Sequence, residues 1–102
     1  MNKMNELVKQ VEQWSKDKGL DQAEPSKQFL KIIEETGETA AALARGNHKA
    51  LEDGIGDVVV TLIILAQQNG LTLEQCLTTA YNEIAGRTGK MVNGVFVKSE
   101  DL

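Results

Sequence analysis

Residues 55–66 read Ile55-Gly56-Asp57-Val58-Val59-Val60-Thr61-Leu62-Ile63-Ile64-Leu65-Ala66. Wound into a helix, this stretch is apolar on nearly every side. It must therefore be central to its fold or lie at a subunit interface. It is too short for a bilayer, which takes about 20 apolar residues, so no membrane role is expected. Asp57 is its one charged residue and must be at least partly buried. An unpaired buried carboxylate costs on the order of several kcal/mol, comparable with the whole stability of a small domain. Asp57 therefore needs a cation, a hydrogen-bond network or a raised pKa.

The rest of the chain reads outward from this helix. Asn47 can cap it, and it continues to about Asn69, with Gly70 as its stop. Before it, a helix begins at Pro25, where a missing N–H costs nothing, and runs to about Arg45, with Gly46 just beyond its end. A turn over Asp21–Pro25 separates that helix from a first one spanning about Asn5 to Lys18. There Leu7, Val8, Val11 and Trp14 recur at helical spacing and Gly19 follows. Thr72 and Gln75 form a capping box for a fourth helix, whose apolar stripe is Leu73, Leu77, Ala80, Tyr81 and Ile84. After Gly86, Met91-Val92-Asn93-Gly94-Val95-Phe96-Val97 reads as two short strands around an Asn-Gly turn. An isolated hairpin is marginal in water, so this one is expected to pack on the helices or on a second subunit. The expected fold is all-α: an antiparallel four-helix bundle with a short C-terminal β-hairpin, one domain over residues 1–102, with the hairpin and tail in 86–102.

The chain has 102 residues, 41% hydrophobic but only 4% aromatic, so the core must be aliphatic. Fifteen acidic residues against eleven basic ones give a net charge of −4, which argues against binding a nucleic-acid polymer. One cysteine, Cys76, excludes an internal disulfide framework and a Cys-rich zinc site. One histidine, His48, excludes sites that need several imidazoles. The first residues carry no apolar signal region, so cytoplasmic residence is expected.

The acidic surplus is concentrated. Residues 31–57 hold six acids (Glu34, Glu35, Glu38, Glu52, Asp53, Asp57) and three bases (Lys31, Arg45, Lys49). At about 100° per residue, with Glu35 at zero, Glu38 falls near −60°, Glu34 near −100° and Lys31 near −40°. Phe29, Ile33, Ala40 and Ala44 fall between about 120° and 180° on the same scale. One face of the second helix thus carries three carboxylates and a lysine. Taken alone, that is a solvated face. On the third helix, however, Asp53 lies one turn before Asp57 on the same side. A divalent cation would resolve the repulsion among these groups. The donors are all oxygens, which favours Mg²⁺, or Mn²⁺, over zinc or copper. A di-iron bundle needs Glu-x-x-His pairs, and Arg45 stands three residues before His48. The spacing of Asp53 to Asp57 does not supply an EF-hand loop. Mg²⁺ held by a few carboxylates is usually completed by water and substrate phosphates.

Glu34-Glu35-Thr36-Gly37-Glu38 resembles the EExxE motif of the MazG-like, all-α nucleoside triphosphate pyrophosphohydrolases, and Gly56-Asp57-Val58 the end of their ExxD motif. The similarity covers most of the chain, and no Gly-rich P-loop or G-x-S-x-G elbow competes with it. The resemblance implies Mg²⁺-dependent hydrolysis of a nucleoside triphosphate between its α and β phosphates, giving a nucleoside monophosphate and pyrophosphate. It also implies a homodimer or homotetramer of interlocked helices. By position, Glu35, Glu38 and Asp57 would be metal ligands. Glu34 would bind through water or orient the attacking water. The sequence departs from the family where ExxD has its glutamate, since that position is Gly54. Asp53, one residue off but on the same face, is expected to substitute. The departure keeps an alternative open: a catalytically weak nucleotide- or metal-binding module with a regulatory role.

Asn82, Arg87 and Lys90 either close the fourth helix, where positive charge is favourable, or contact phosphates as similar residues of the family do. Lys31 is a counter-ion or a phosphate contact. Trp14 is a core residue beside Leu7 and Val11, or stacks on a base as similar helix-one tryptophans do. Cys76 is expected to be a partly buried small hydrophobe, and His48 an exposed first-turn residue.

Overall fold

Asn2, Asn47 and Thr72 each open a helix with a side-chain cap. The computed structural model describes residues 2–102. Helix α1 spans Lys3–Asp17, and Asn2 caps it by accepting a hydrogen bond from the Met4 N–H at 2.9 Å. A 3₁₀ turn follows at Leu20–Gln22. Helix α2, Pro25–Ala44, starts on its proline. Its end is a Schellman motif, with the Asn47 N–H donating to the Ala42 carbonyl, that of Gly46 to Leu43, and Gly46 at φ +66°. The Asn47 Oδ1 then caps α3, His48–Gln68, by accepting from the Ala50 N–H. Three residues therefore close one helix and open the next. Helix α4, Leu73–Ala85, carries the expected Thr72/Gln75 capping box.

Strands β1 (Gly89–Val92) and β2 (Val95–Lys98) pair antiparallel, with Gly89 opposite Lys98 and Val92 opposite Val95. Asn93 and Gly94 both have positive φ, 52° and 81°. That is the geometry a two-residue turn needs to match strand twist.

Helix α3 is central, touching α1, α2, α4 and the first 3₁₀ turn. Its Thr61, Ile63, Ile64 and Ala66 are buried, together with Ile32 and Ala42 of α2 and Ser15 of α1. Side-chain amides tie the layers together. Gln67 donates to the Glu12 carbonyl of α1 at 3.1 Å, and Gln68 to the Leu20 carbonyl of the 3₁₀ turn at 2.9 Å.

Two expectations change. Helix α2 lays the stripe Ile32, Glu35, Thr39 and Ala42 toward α3 and leaves Phe29 54% and Ile33 56% exposed. Glu35 thus turns toward α3 while Glu34 and Glu38 stay exposed, and apolar residues occupy both sides of the helix. The second change concerns α4, which buries no residue and leaves Leu77, Tyr81 and Ile84 exposed. One chain supplies the four helices and the hairpin without closing them into a bundle. The radius of gyration is 16.2 Å, against about 13 Å for a compact domain of 100 residues. Cys76 sits on this open helix and is exposed rather than partly buried. Among the described residues, no helix is long and apolar enough to cross a membrane.

Candidate active site between helices α2 and α3

The turn of α2 that carries Glu35 packs on the turn of α3 that carries Asp53 and Asp57 because Gly54 has no side chain. A Cβ at Gly54 would lie 2.6 Å from the Thr39 Oγ1 and 3.3 Å from its Cα. Thr39 in turn donates its hydroxyl to the Glu35 carbonyl at 2.8 Å, so its side chain is fixed against its own helix. A glutamate at position 54 would force the helices apart. The departure from the ExxD pattern therefore has a packing cause, and Asp53 falls beside Asp57 instead.

The charges respond to this approach. Partial burial raises the Asp57 pKa above its ordinary value, with the negative charges of Asp53 and Glu35 and a contact with Asp53 adding to the rise; Lys31 opposes it. Glu35 is well covered, its side chain 13% exposed. The Lys31 Nζ lies 3.4 Å from Glu34 Oε1 and 3.6 Å from Glu35 Oε1. The hydrogen bond to Glu34 and the charges of both glutamates raise the Lys31 pKa. One lysine thus faces a group of carboxylates that outnumber it. These carboxylates are not drawn around one point. Among the described residues, no three Asp, Glu, His or Cys side chains are grouped closely enough to hold a metal ion. The donor set is all oxygen and short of positive charge, which suits a hard divalent ion.

Beside these charges is a cavity of about 400 Å³. Lys31, Glu35 and Asp57 line its charged end. Trp14, Leu20, Ala23, Val60 and Ile64 add apolar wall to it. Trp14 is 47% exposed, so it is a wall of this cavity and not a core residue.

Sequence reasoning missed Glu24, Lys27, Gln28 and Thr61, which also line the cavity. The signal was present on α2. Lys27, Lys31 and Glu35 are spaced four apart, and Gln28 stands seven before Glu35, so all share a side. Other expected site residues lie outside this cavity. Glu38 is exposed and lines neither this cavity nor an ion pair among the described residues. Glu34 is exposed and held only by Lys31. Asp53 opens onto a separate shallow depression with Asn47, Lys49 and Glu52. Asn82, Arg87 and Lys90 are exposed on α4 and beyond and line no part of this cavity, and Arg87 is 3.5 Å from Glu83.

Comparison with known proteins places the chain in a family. Residues 23–92 match the model of the MazG nucleotide pyrophosphohydrolase domain. The match runs from just before α2 to the end of β1 and leaves out Trp14. The chain is also 40% identical over 70 residues to an uncharacterised 18.2 kDa protein from the rep–hol intergenic region of Haemophilus phage HP1. That alignment takes in 68% of this chain and 43% of the phage protein, so the chain spans less than half of that relative. No solved structure gives a significant match. The chain belongs to the MazG nucleotide pyrophosphohydrolase domain family.

Proposed function

We propose that this protein hydrolyses nucleoside triphosphates with Mg²⁺ (Mn²⁺ as a substitute), releasing a nucleoside monophosphate and pyrophosphate. The observation that carries this reading is the cavity that sets Trp14 and apolar side chains beside Lys31, Glu35 and Asp57. A nucleotide likewise combines an aromatic base with charged phosphates. In the reaction the bridge between the α and β phosphorus atoms breaks. Water supplies a hydroxyl to one phosphoryl group and a proton to the bridging oxygen released on the other.

Glu35, Glu38, Asp53 and Asp57 are the residues that would hold the metal, which when bound neutralises phosphate charge and activates water. In our reading Glu34 orients the attacking water. Lys31 holds Glu34 and Glu35 in place and is the nearest cation to an incoming phosphate. Trp14 offers a face on which a base can stack. Asn82, Arg87 and Lys90 line no part of this cavity in one chain. On this account a second copy brings them to the phosphates, in a homodimer or homotetramer.

The test is a nucleotide panel with and without Mg²⁺, its products separated by chromatography. Monophosphate and pyrophosphate in equal amounts, only with metal, are expected. Absence of both across a broad panel contradicts the proposal. The carboxylates that stand ungrouped, and Gly54 in place of the family glutamate, favour a second reading. In it the chain is a catalytically weak, nucleotide-binding regulatory module. Tight nucleotide binding by calorimetry without turnover would select that reading.

A further inference from the structure

Gln28 is a cavity-lining residue whose amide is already half committed. Its Nε2 donates to the Thr61 carbonyl of α3 at 3.0 Å, a bond between helices 33 residues apart in sequence. A backbone carbonyl only accepts, so the amide nitrogen must be the atom that faces it. The Oε1 is therefore the free atom, and it accepts no hydrogen bond from the described residues. The tie to Thr61 also fixes the side chain, so this acceptor is positioned before any ligand arrives.

Its place along the cavity decides what it meets. Gln28 lies seven residues before Glu35, about 10 Å along α2, and Thr61 lies four after Asp57, about 6 Å along α3. With the phosphates at the carboxylate end, that is the separation of a base edge from the α phosphate. The same cavity is lined by apolar Trp14, Leu20, Ala23 and Ile64 and by charged Glu24 and Lys27.

We propose that Gln28 selects the nucleobase, its fixed Oε1 accepting a hydrogen bond from an exocyclic amino group, so that amino-bearing bases are preferred over uracil and thymine. The proposal rests on the nucleotide reading above. Cytosine and uracil differ on this edge at C4, an amino group against a carbonyl, and at N3, a bare acceptor against an N–H. The amino group donates to Oε1, whereas the carbonyl would set acceptor against acceptor. The single N–H of uracil lies between two carbonyls and reaches Oε1 only with one of them close by. An acceptor set against an acceptor in a binding site discriminates by about tenfold or more.

The experiment compares CTP with UTP for the wild type, Gln28→Leu and Gln28→Met, with folding checked by circular dichroism. The wild type is expected to favour CTP at least tenfold in kcat/KM. Both variants are expected to lose most of that ratio, with the loss falling on KM more than on kcat. Equal use of CTP and UTP by the wild type overturns the proposal, as does an unchanged ratio in the variants. If neither nucleotide is hydrolysed, the enzymatic reading fails, and quenching of Trp14 fluorescence by CMP and UMP decides the present one. Preferential quenching by CMP that is lost in Gln28→Leu supports it. Equal quenching, or none, overturns it.

Discussion

Asp57 stands where an apolar helix can least accommodate a charge, and its neighbours Asp53 and Glu35 are negative. The sign of the consequence follows from proton linkage. Its folded pKa is raised, so between its ordinary and its raised value the native state binds more protons than the unfolded chain. Stability therefore falls as pH rises through that window. Asp57→Asn is expected to melt at a higher temperature than the metal-free wild type at neutral pH. That advantage should shrink as pH falls below the raised pKa. A variant less stable at neutral pH would show that Asp57 is already compensated. For turnover, Glu35→Gln and Glu38→Gln are each expected to abolish hydrolysis while leaving the circular-dichroism spectrum intact. At this scale the sequence was legible for the acids, because their spacing places them on shared faces. It was not legible for Gln28, whose role depends on a carbonyl 33 residues away.

Among the elements, the α2–α3 pair sets the site. Gly54→Ala puts a methyl group on Thr39, and an overpacked contact of this kind typically costs about 1–3 kcal/mol. A denaturant melt should show it, and Thr39→Ala should restore part of the loss by removing the hydroxyl nearest the new methyl. A Gly54→Ala variant as stable as the wild type would remove Gly54 from the account. The helix ends were readable in advance, since Gly46, Asn47, Gly70, Thr72 and the Asn93-Gly94 turn are local signals. Which side of α2 meets α3 was not. Apolar residues occur on both sides of α2, Ile32 and Ala42 on one and Phe29 and Ile33 on the other. Only the close approach at Gly54, a tertiary event, selects between them.

For the whole molecule, the notable surface is apolar. Phe29, Leu30 and Ile33 of α2, Ile55, Val59 and Leu62 of α3, and Leu77, Tyr81 and Ile84 of α4 are all exposed in a single chain. Exposed apolar surface of this extent marks an interaction face, and the same composition leaves few large side chains for an internal core. A homo-oligomer is expected in solution, and a monomeric mass by light scattering at micromolar concentration would contradict it. The four helices were legible from periodicity, whereas their failure to close was not, because one sequence cannot say whether a stripe meets its own chain or another copy.

The central claim is that the negative charge between α2 and α3 holds the divalent cation with which the nucleotide is cleaved. Its most direct test is thermal melting of the wild type and Asp57→Asn with and without millimolar Mg²⁺. A ligand that binds only the folded state stabilises it, so Mg²⁺ is expected to raise the wild-type melting temperature and to leave Asp57→Asn nearly unchanged. Identical wild-type melting with and without the metal, or an equal rise in both proteins, would contradict it.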